Sequence, residues 1–184
     1  MKIKVCGTND AVFAAEAVRL GVDYLGFIFE PSSPRFVTPE KAAEIVSSLD
    51  APLRRRVRLV GVFVRESPAQ IIATMRRAGL DVVQLHRRAS SEDVAALKHA
   101  GYEVWTLAGG AEGDGVLYDS SHGDGETTFR TGGFKSILAG RIGVENVADA
   151  LALKPDIIDV NSTLETAPGV KSTILLAGLL AKLH

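Results

Sequence analysis

The chain has 184 residues, 46% of them hydrophobic, with 21 basic and 22 acidic side chains and a net charge of −1. A chain of that size buries a core without disulfides or metals, and residues 1–184 read as one domain. The balanced charge leaves no electrostatic footprint for nucleic acid, one cysteine excludes an intramolecular disulfide and multi-cysteine zinc sites, and no run reaches the roughly 18 apolar residues of a membrane span.

Lys2-Ile3-Lys4-Val5-Cys6 reads as a strand running into the turn Gly7-Thr8-Asn9, with the only cysteine at its last position. Its two lysines argue against a secretory leader, so the expectation is a cytoplasmic protein. Asn9 is the expected cap of a helix over Asp10 to Leu20 that Gly21 closes. Tyr24 to Phe29 is a continuously apolar run, as in a parallel strand covered on both faces. A polar loop with Ser33-Pro34-Arg35-Phe36 follows, and Thr38 with Pro39 opens the next helix. Arg54-Arg55-Arg56 with Arg58 is the one basic cluster, read as a solvated loop or anion contact before the third strand, Leu59 to Val64. Ser67-Pro68-Ala69-Gln70 is a capping box; its helix closes at Gly79. Strand four is Val82 to His86, the helix from Ser90 closes at Gly101, and strand five is Glu103 to Leu107.

Strand six is Gly115 to Asp119, strand seven lies within Lys135 to Ile142, and strand eight is Asp156 to Val160; final helices cover Val144 to Leu153 and Thr173 to Leu183. Eight strands alternating with helices indicate a parallel α/β architecture closed as a (β/α)8 barrel, the TIM-barrel fold. One junction departs from the pattern. Ala108 to Asp114 is glycine-rich and too short for a covering helix, whereas a parallel crossover ordinarily needs a dozen residues or more. Ser120 to Gly133 is also poor in helix. The expectation is a barrel that lacks the helix after strand five and has a trimmed helix after strand six.

Several motifs together resemble the phosphoribosylanthranilate isomerase family. They are Lys4-Val5-Cys6-Gly7, Gly26-Phe27-Ile28-Phe29 with Ser33-Pro34-Arg35-Phe36-Val37, Val60-Gly61-Val62-Phe63-Val64, Val83-Gln84-Leu85-His86, Leu117-Tyr118-Asp119, Leu138-Ala139-Gly140-Arg141-Ile142 with Glu145-Asn146-Val147, and Asp159-Val160-Asn161-Ser162 with Pro168-Gly169-Val170-Lys171. The similarity spans nearly the whole chain in order. It implies a cofactor-free Amadori rearrangement of N-(5-phosphoribosyl)anthranilate to 1-(2-carboxyphenylamino)-1-deoxyribulose 5-phosphate in tryptophan biosynthesis. An acid protonates the ribose ring oxygen to open the ring, and a base removes the C2 proton of the resulting Schiff base. The resemblance assigns the base to Cys6, the acid to Asp119 and the anthranilate carboxylate to Arg35, with His86 lining the pocket.

A free cysteine (pKa about 8.5) and aspartate (about 3.9) hold the wrong protonation states for those tasks. Cys6 needs cations or donors nearby, and Asp119 needs desolvation or an anionic neighbour. Phosphate is expected at the loops after strands seven and eight, around Gly140, Arg141, Asn161, Ser162 and Thr163. Here the chain departs from the family. Arg141 replaces a glycine, and either blocks close backbone approach or adds a guanidinium; Asn161-Ser162-Thr163 also lacks the family's glycine. Asp124 and Glu126, in the loop after strand six, would repel a phosphate. His99, His122 and His184 have no metal-ligand spacing, so no metal and no cofactor is expected. The partner is a small phosphorylated molecule, and the protein a monomer or homodimer. Two alternatives stay open: an isomerase of another phosphoribosyl-amine, against which the cysteine in place of an aspartate argues, and a barrel that binds without catalysis.

Overall fold

A computed structural model describes residues 1–120 and 129–183. Its frame is eight short apolar strands, β1 (Lys2–Val5), β2 (Tyr24–Ile28), β3 (Arg58–Phe63), β4 (Val82–Leu85), β5 (Glu103–Leu107), β6 (Gly115–Asp119), β7 (Lys135–Ala139) and β8 (Ile157–Val160). They pair in chain order as parallel neighbours, and β8 returns to β1, with Lys2 opposite Ile157 and Lys4 opposite Asp159. Outside lie α1 (Ala11–Arg19), α2 (Pro39–Ser48), α3 (Ala51–Arg56), α4 (Pro68–Ala78), α5 (Ser91–His99), α6 (Val147–Ala152) and α7 (Thr173–Leu180). A 3-10 turn (Ser162–Leu164) and a hairpin of β9 (Glu165–Ala167) and β10 (Val170–Lys171) follow β8.

Because side chains alternate along a strand, the apolar residues divide into two shells. Val5, Leu25, Phe27, Leu59, Val83 and Val104 face outward and pack with helix residues such as Ala14, Ile45, Ile71, Met75 and Leu97. Tyr24, Val60, Val82, Trp105, Leu117, Ile137 and Ile157 fill the barrel, where the Tyr24 and Trp105 rings meet edge-on at 5.0 Å. Full burial of a side chain of this size is worth about 1.5–3 kcal/mol. Below this layer Glu103 binds Arg58, Lys135 and the Trp105 Nε1–H, closing the amino-terminal end with charges that are paired.

Helix punctuation follows the expected signals at Gly79, which closes α4 at φ 67°, at Thr38, and at the Ser67–Gln70 capping box. Two expectations are corrected. The cap of α1 is Asp10, whose carboxylate accepts the Phe13 N–H at 2.7 Å, while Asn9 donates from its side chain to the Gly169 carbonyl at 2.9 Å. The Arg54-Arg55-Arg56 run is no loop but the last turn of α3, capped by Asp50, where cations suit the helix's negative end. Arg54 pairs with Asp81 at 2.7 Å.

No helix lies between β5 and β6, as the sequence indicates. Ala108–Asp114 instead turns at Ala108–Gly110 and runs back along the outer face of β5 as irregular chain. The Ala108 N–H bonds the Leu117 carbonyl, Ala111 bonds Ala89, Gly113 donates to the Thr106 hydroxyl, and Asp114 bonds Val104. Seven extended residues reach up to about 25 Å, more than the roughly 17 Å rise of a five-residue strand, so the return is possible without a helix. Glycine permits it: a Cβ at Gly113 would lie 2.3 Å from the Val104 carbonyl oxygen, and one at Gly110 would lie 2.7 Å from the Ala89 nitrogen. Residues 121–128 lie outside the described residues, and with them the expected trimmed helix after strand six, His122, Asp124 and Glu126; so does His184. Phe129 packs edge-on against Tyr118, on the outer face of β6.

Gly113→Ala is therefore expected to destabilise the protein by about 2–3 kcal/mol, as an overpacked backbone contact does. Gly178→Ala in α7, where the added Cβ meets nothing within 4 Å, is expected to stabilise it by about 0.5–1 kcal/mol. Urea unfolding of the two variants checks both signs.

Candidate active site

The carboxyl ends of the strands surround a cavity of about 550 Å3 into which Cys6, Arg35, His86, Asp119, Gly140, Arg141, Asn161 and Ser162 all open. Of the residues expected from sequence only Thr163 stands outside its lining. The Thr163 hydroxyl is turned away to the Ile142 carbonyl, and its side chain fills the space a Cβ at Gly143 would need.

Cys6 is reached by alternation along β1. Lys2, Lys4 and Cys6 point inward, and the Cys6 N–H is fixed on the Val160 carbonyl at 2.8 Å. Directly beneath it Lys4 is fully buried, and its Nζ donates to Asp159 Oδ2 at 2.6 Å. Gly26 on the neighbouring strand makes room for both: a Cβ there would sit 3.0 Å from Cys6 Sγ and 3.2 Å from Lys4 Cε. Burial works against the Lys4 ammonium, but Asp159 and Cys6 outweigh it and hold its pKa above the ordinary lysine value. Burial also pushes the Cys6 thiol up, against the pull of Lys4 and Lys171. Asp159 is likewise raised by burial, opposed by Lys4, with Asp119 adding to the rise. Oδ1 of Asp159, buried at the cavity wall, has no hydrogen-bond partner among the described residues.

Arg35 arrives from the loop after β2, which folds back so that the Val37 N–H bonds the Ile28 carbonyl and the Arg35 N–H bonds the Ser33 hydroxyl. Its Nε and one terminal nitrogen grip Glu165 in a bidentate pair, both at 2.7 Å. Two of the five guanidinium N–H groups are used in that fork and three remain, on a side chain that lines the cavity. Gly7 allows the approach, since a Cβ there would lie 2.7 Å from Arg35 Cδ. The β9–β10 hairpin supplies both Glu165 and Lys171, whose Nζ donates to Glu165 at 2.8 Å and to Asn161 Oδ1 at 2.7 Å while its side chain is 1% exposed. The hairpin docks through Gly169, which sits against the Pro34 carbonyl with φ 81°.

Across the cavity, His86 Nε2 stands 3.7 Å from Asp119 Oδ2, and Gln84 lies 3.5 Å from His86 Nδ1. After β7, Gly140 has φ 108° and Arg141 φ 53°. Arginine thus occupies the left-handed backbone that a glycine would adopt freely, at a cost of about 1–2 kcal/mol. The loop is pinned by Asn146, which accepts from the Gly143 N–H and donates to the Arg141 carbonyl. Lys4, Asp159, Glu165 and Lys171 carry site geometry that sequence reasoning left unassigned. A charged residue within an apolar strand, Lys4 two positions before Cys6 and Asp159 in Ile157-Ile158-Asp159-Val160, is the signal that marks the first two.

Among the described residues no group of three or more His, Cys, Asp or Glu is placed to hold a metal, and no helix is long and apolar enough to cross a membrane.

Arg35 and Lys171 outweigh the effect of burial on Glu165 and hold its carboxyl at about 2, against an ordinary 4.5. A depressed folded value adds stability that is present above the unfolded value and is lost as pH falls through the folded one. The stability gap between wild type and Glu165→Gln is therefore expected to narrow by about 2 kcal/mol between roughly pH 5 and pH 2. Urea titrations across that window measure it, and a constant gap would overturn the assignment.

The family model described as N-(5'phosphoribosyl)anthranilate (PRA) isomerase matches residues 3–182. The N-(5'-phosphoribosyl)anthranilate isomerase of Granulibacter bethesdensis is 32% identical over 205 aligned residues, covering 98% of this chain and 96% of that protein. That alignment is longer than the 184-residue chain, so the relative carries segments this chain lacks. The crystal structure of phosphoribosyl anthranilate isomerase from Thermus thermophilus superposes with a TM-score of 0.85 at 34% identity, covering 100% of this chain and 98% of that one. A phosphoribosyl anthranilate isomerase in complex with reduced 1-(o-carboxyphenylamino)-1-deoxyribulose 5-phosphate superposes with a TM-score of 0.82 at 26% identity, over 98% of this chain and 96% of that one. With eight strands in the same closed order and a full-length match, the chain belongs to the N-(5'-phosphoribosyl)anthranilate isomerase family.

Proposed function

We propose that this chain isomerises N-(5-phosphoribosyl)anthranilate to 1-(2-carboxyphenylamino)-1-deoxyribulose 5-phosphate in the cytoplasm, with Cys6 as general base and Asp119 as general acid. The observation that carries the reading is that a thiol, a carboxyl and an arginine open into one cavity from three different strand ends. Asp119 gives its proton to the ribose ring oxygen, the C1–O bond breaks, and the nitrogen lone pair forms the Schiff base. The Cys6 thiolate then takes the C2 proton, and the electrons of that bond form the enolamine. The gain of one proton at oxygen and the loss of one at carbon leave an isomer, which is why no cofactor enters.

The remaining edge of Arg35 suits the anthranilate carboxylate, because a planar fork already fixed by Glu165 loses little freedom on binding a second carboxylate. The phosphate fits the opposite side, at Gly140, Arg141, Asn161 and Ser162, where Arg141 keeps its backbone N–H and adds a guanidinium to the anion site. Thr163 serves this end by fixing the Ile142 carbonyl and not by touching ligand. His86 lines the wall beside Asp119. The protein acts as a monomer or a homodimer on a small phosphorylated substrate.

The test is the loss of phosphoribosylanthranilate fluorescence on adding the protein. Cys6→Ala and Asp119→Ala are each expected to lower kcat about 10³-fold with the fold retained; near wild-type turnover in either would remove that residue from its role. Arg35→Ala is expected to raise KM about 10- to 100-fold, the worth of a charge-assisted pair. Arg141→Gly is expected to relieve about 1 kcal/mol of backbone cost while raising KM several-fold at unchanged kcat.

A further inference from the structure

The Arg35–Glu165 pair is neutral as a unit. A carboxylate that arrives at Arg35 therefore meets an anion, held 2.7 Å from the guanidinium, as well as the cation. The hairpin supplies the charge that decides between them. Lys171 Nζ donates to Glu165 Oε1 at 2.8 Å, to Asn161 Oδ1 at 2.7 Å and to the Asn161 carbonyl at 3.0 Å. An ammonium has three donors and no acceptor, and these three partners use all of them. Burial lowers the pKa of Lys171, and the bond to Glu165 works against that. Arg35, Glu165 and Lys171 then carry two positive charges and one negative, a surplus of one cation. The side chains of Lys171 and Glu165 are 1% and 4% exposed against 18% for Arg35, so salt screens the surplus little. Of the three, Arg35 is the one that lines the cavity.

We infer that Lys171, set behind the cavity wall, is a positioning residue that makes the Arg35 end of the site net positive and so selects a substrate bearing a carboxylate. Without Lys171 the attraction of Arg35 for that carboxylate is opposed by Glu165 at nearly the same place. The same ammonium acts on the neighbouring wall. Because it can only donate, Asn161 must present its amide oxygen to Lys171. The two Nδ2 hydrogens are then left on the other edge of a side chain that lines the cavity, as donors to the ligand. One buried cation thus holds the residues at two of the ligand's contacts, Arg35 through Glu165 and Asn161 directly.

This inference rests on Arg35 being the carboxylate clamp, and its test reads binding and not turnover. Two stable ligands serve: 1-(2-carboxyphenylamino)-1-deoxyribulose 5-phosphate with its carbonyl reduced to an alcohol, and the same compound without the ring carboxylate. Calorimetry gives both affinities for the full-length wild type, for Lys171→Met, and for Lys171→Met combined with Glu165→Gln. Wild type is expected to prefer the carboxylate-bearing ligand about 10- to 100-fold. Lys171→Met leaves the pair neutral and is expected to cut that preference about tenfold. It is expected to weaken the ligand without the carboxylate only about two- to tenfold, the worth of an uncharged hydrogen bond at Asn161. The double variant leaves Arg35 as the one charge, again a surplus of one cation, and is expected to regain the lost preference. A role confined to holding the hairpin would weaken both ligands alike and leave the double variant no better than the single one; either result overturns the inference. Should Lys171→Met fail to fold, the double variant decides by itself: a wild-type preference supports the inference, and its loss overturns it. A wild type without any preference would defeat the clamp reading and this inference together, whereas a preference that Lys171→Met keeps in full overturns the inference and leaves the clamp standing.

Discussion

The constraint on which the rest of the molecule depends is closure of the barrel between its first and last strands, and one buried ion pair lies inside that seam. Lys4 and Asp159 stand opposite each other in the β1–β8 register, and their side chains meet at 2.6 Å. A charge so deeply buried is tolerable only when paired, and breaking such a pair by removing one partner leaves the other uncompensated. The pair thus specifies one register between two segments separated by 155 residues. A slip of β1 by one residue would turn Lys4 outward, away from Asp159, and take Cys6 off the cavity wall.

At the opposite end of the barrel the chain closes by a second, repeated device. Asp23, Asp81, Asp114 and Asp156 each stand just before an even-numbered strand, and each accepts the N–H of a residue in the preceding odd strand at 2.8 to 2.9 Å. Each also donates its own N–H to the carbonyl of that same residue: Ile3, Leu59, Val104 and Ser136. Four reciprocal clasps hold four strand pairs at the amino-terminal face, leaving the carboxyl ends to carry chemistry. Stability below and function above is the division of labour usual in this architecture.

Much of this was legible beforehand, because helix and strand starts are written in local chemistry. Gly79 in the left-handed region, the Ser67–Gln70 box and Thr38 before Pro39 each satisfy a backbone need that few other residues meet, so they mark boundaries reliably. What escaped was long-range. Nothing local tells that Glu165, held by Lys171 in a two-strand hairpin, reaches back 130 positions to grip Arg35. Nor does the basic character of Arg54-Arg55-Arg56 disclose a helix of six residues, since its start depends on Asp50 and its contact on Asp81. Thr163 was placed among the phosphate contacts by position alone, while its hydroxyl is spent on the neighbouring loop. The expected conflict at Arg141 resolved otherwise than by a change of loop shape: the backbone keeps the glycine-like conformation and the side chain is carried there at a conformational cost.

The shortened connection bears on function through where it falls. Cavity-lining side chains among the described residues come from the ends of β1, β2, β3, β4, β6, β7 and β8, and none comes from β5. The crossover reduced to an irregular return is therefore the one that follows the strand contributing nothing to the site. That return still performs a helix's two tasks, since it covers the outer face of β5 and gives its polar groups partners in Ala89, Val104 and Thr106. The position of β6, and so of Asp119, is then set by its ladder with β7, which pairs Asp119 with Ala139, and by Asp114 clasping Val104 below. Loss of the helix thus falls on stability, in a segment that tolerates only glycine at its closest approach, and leaves the geometry between Cys6, Arg35 and Asp119 to strands whose own supports are intact.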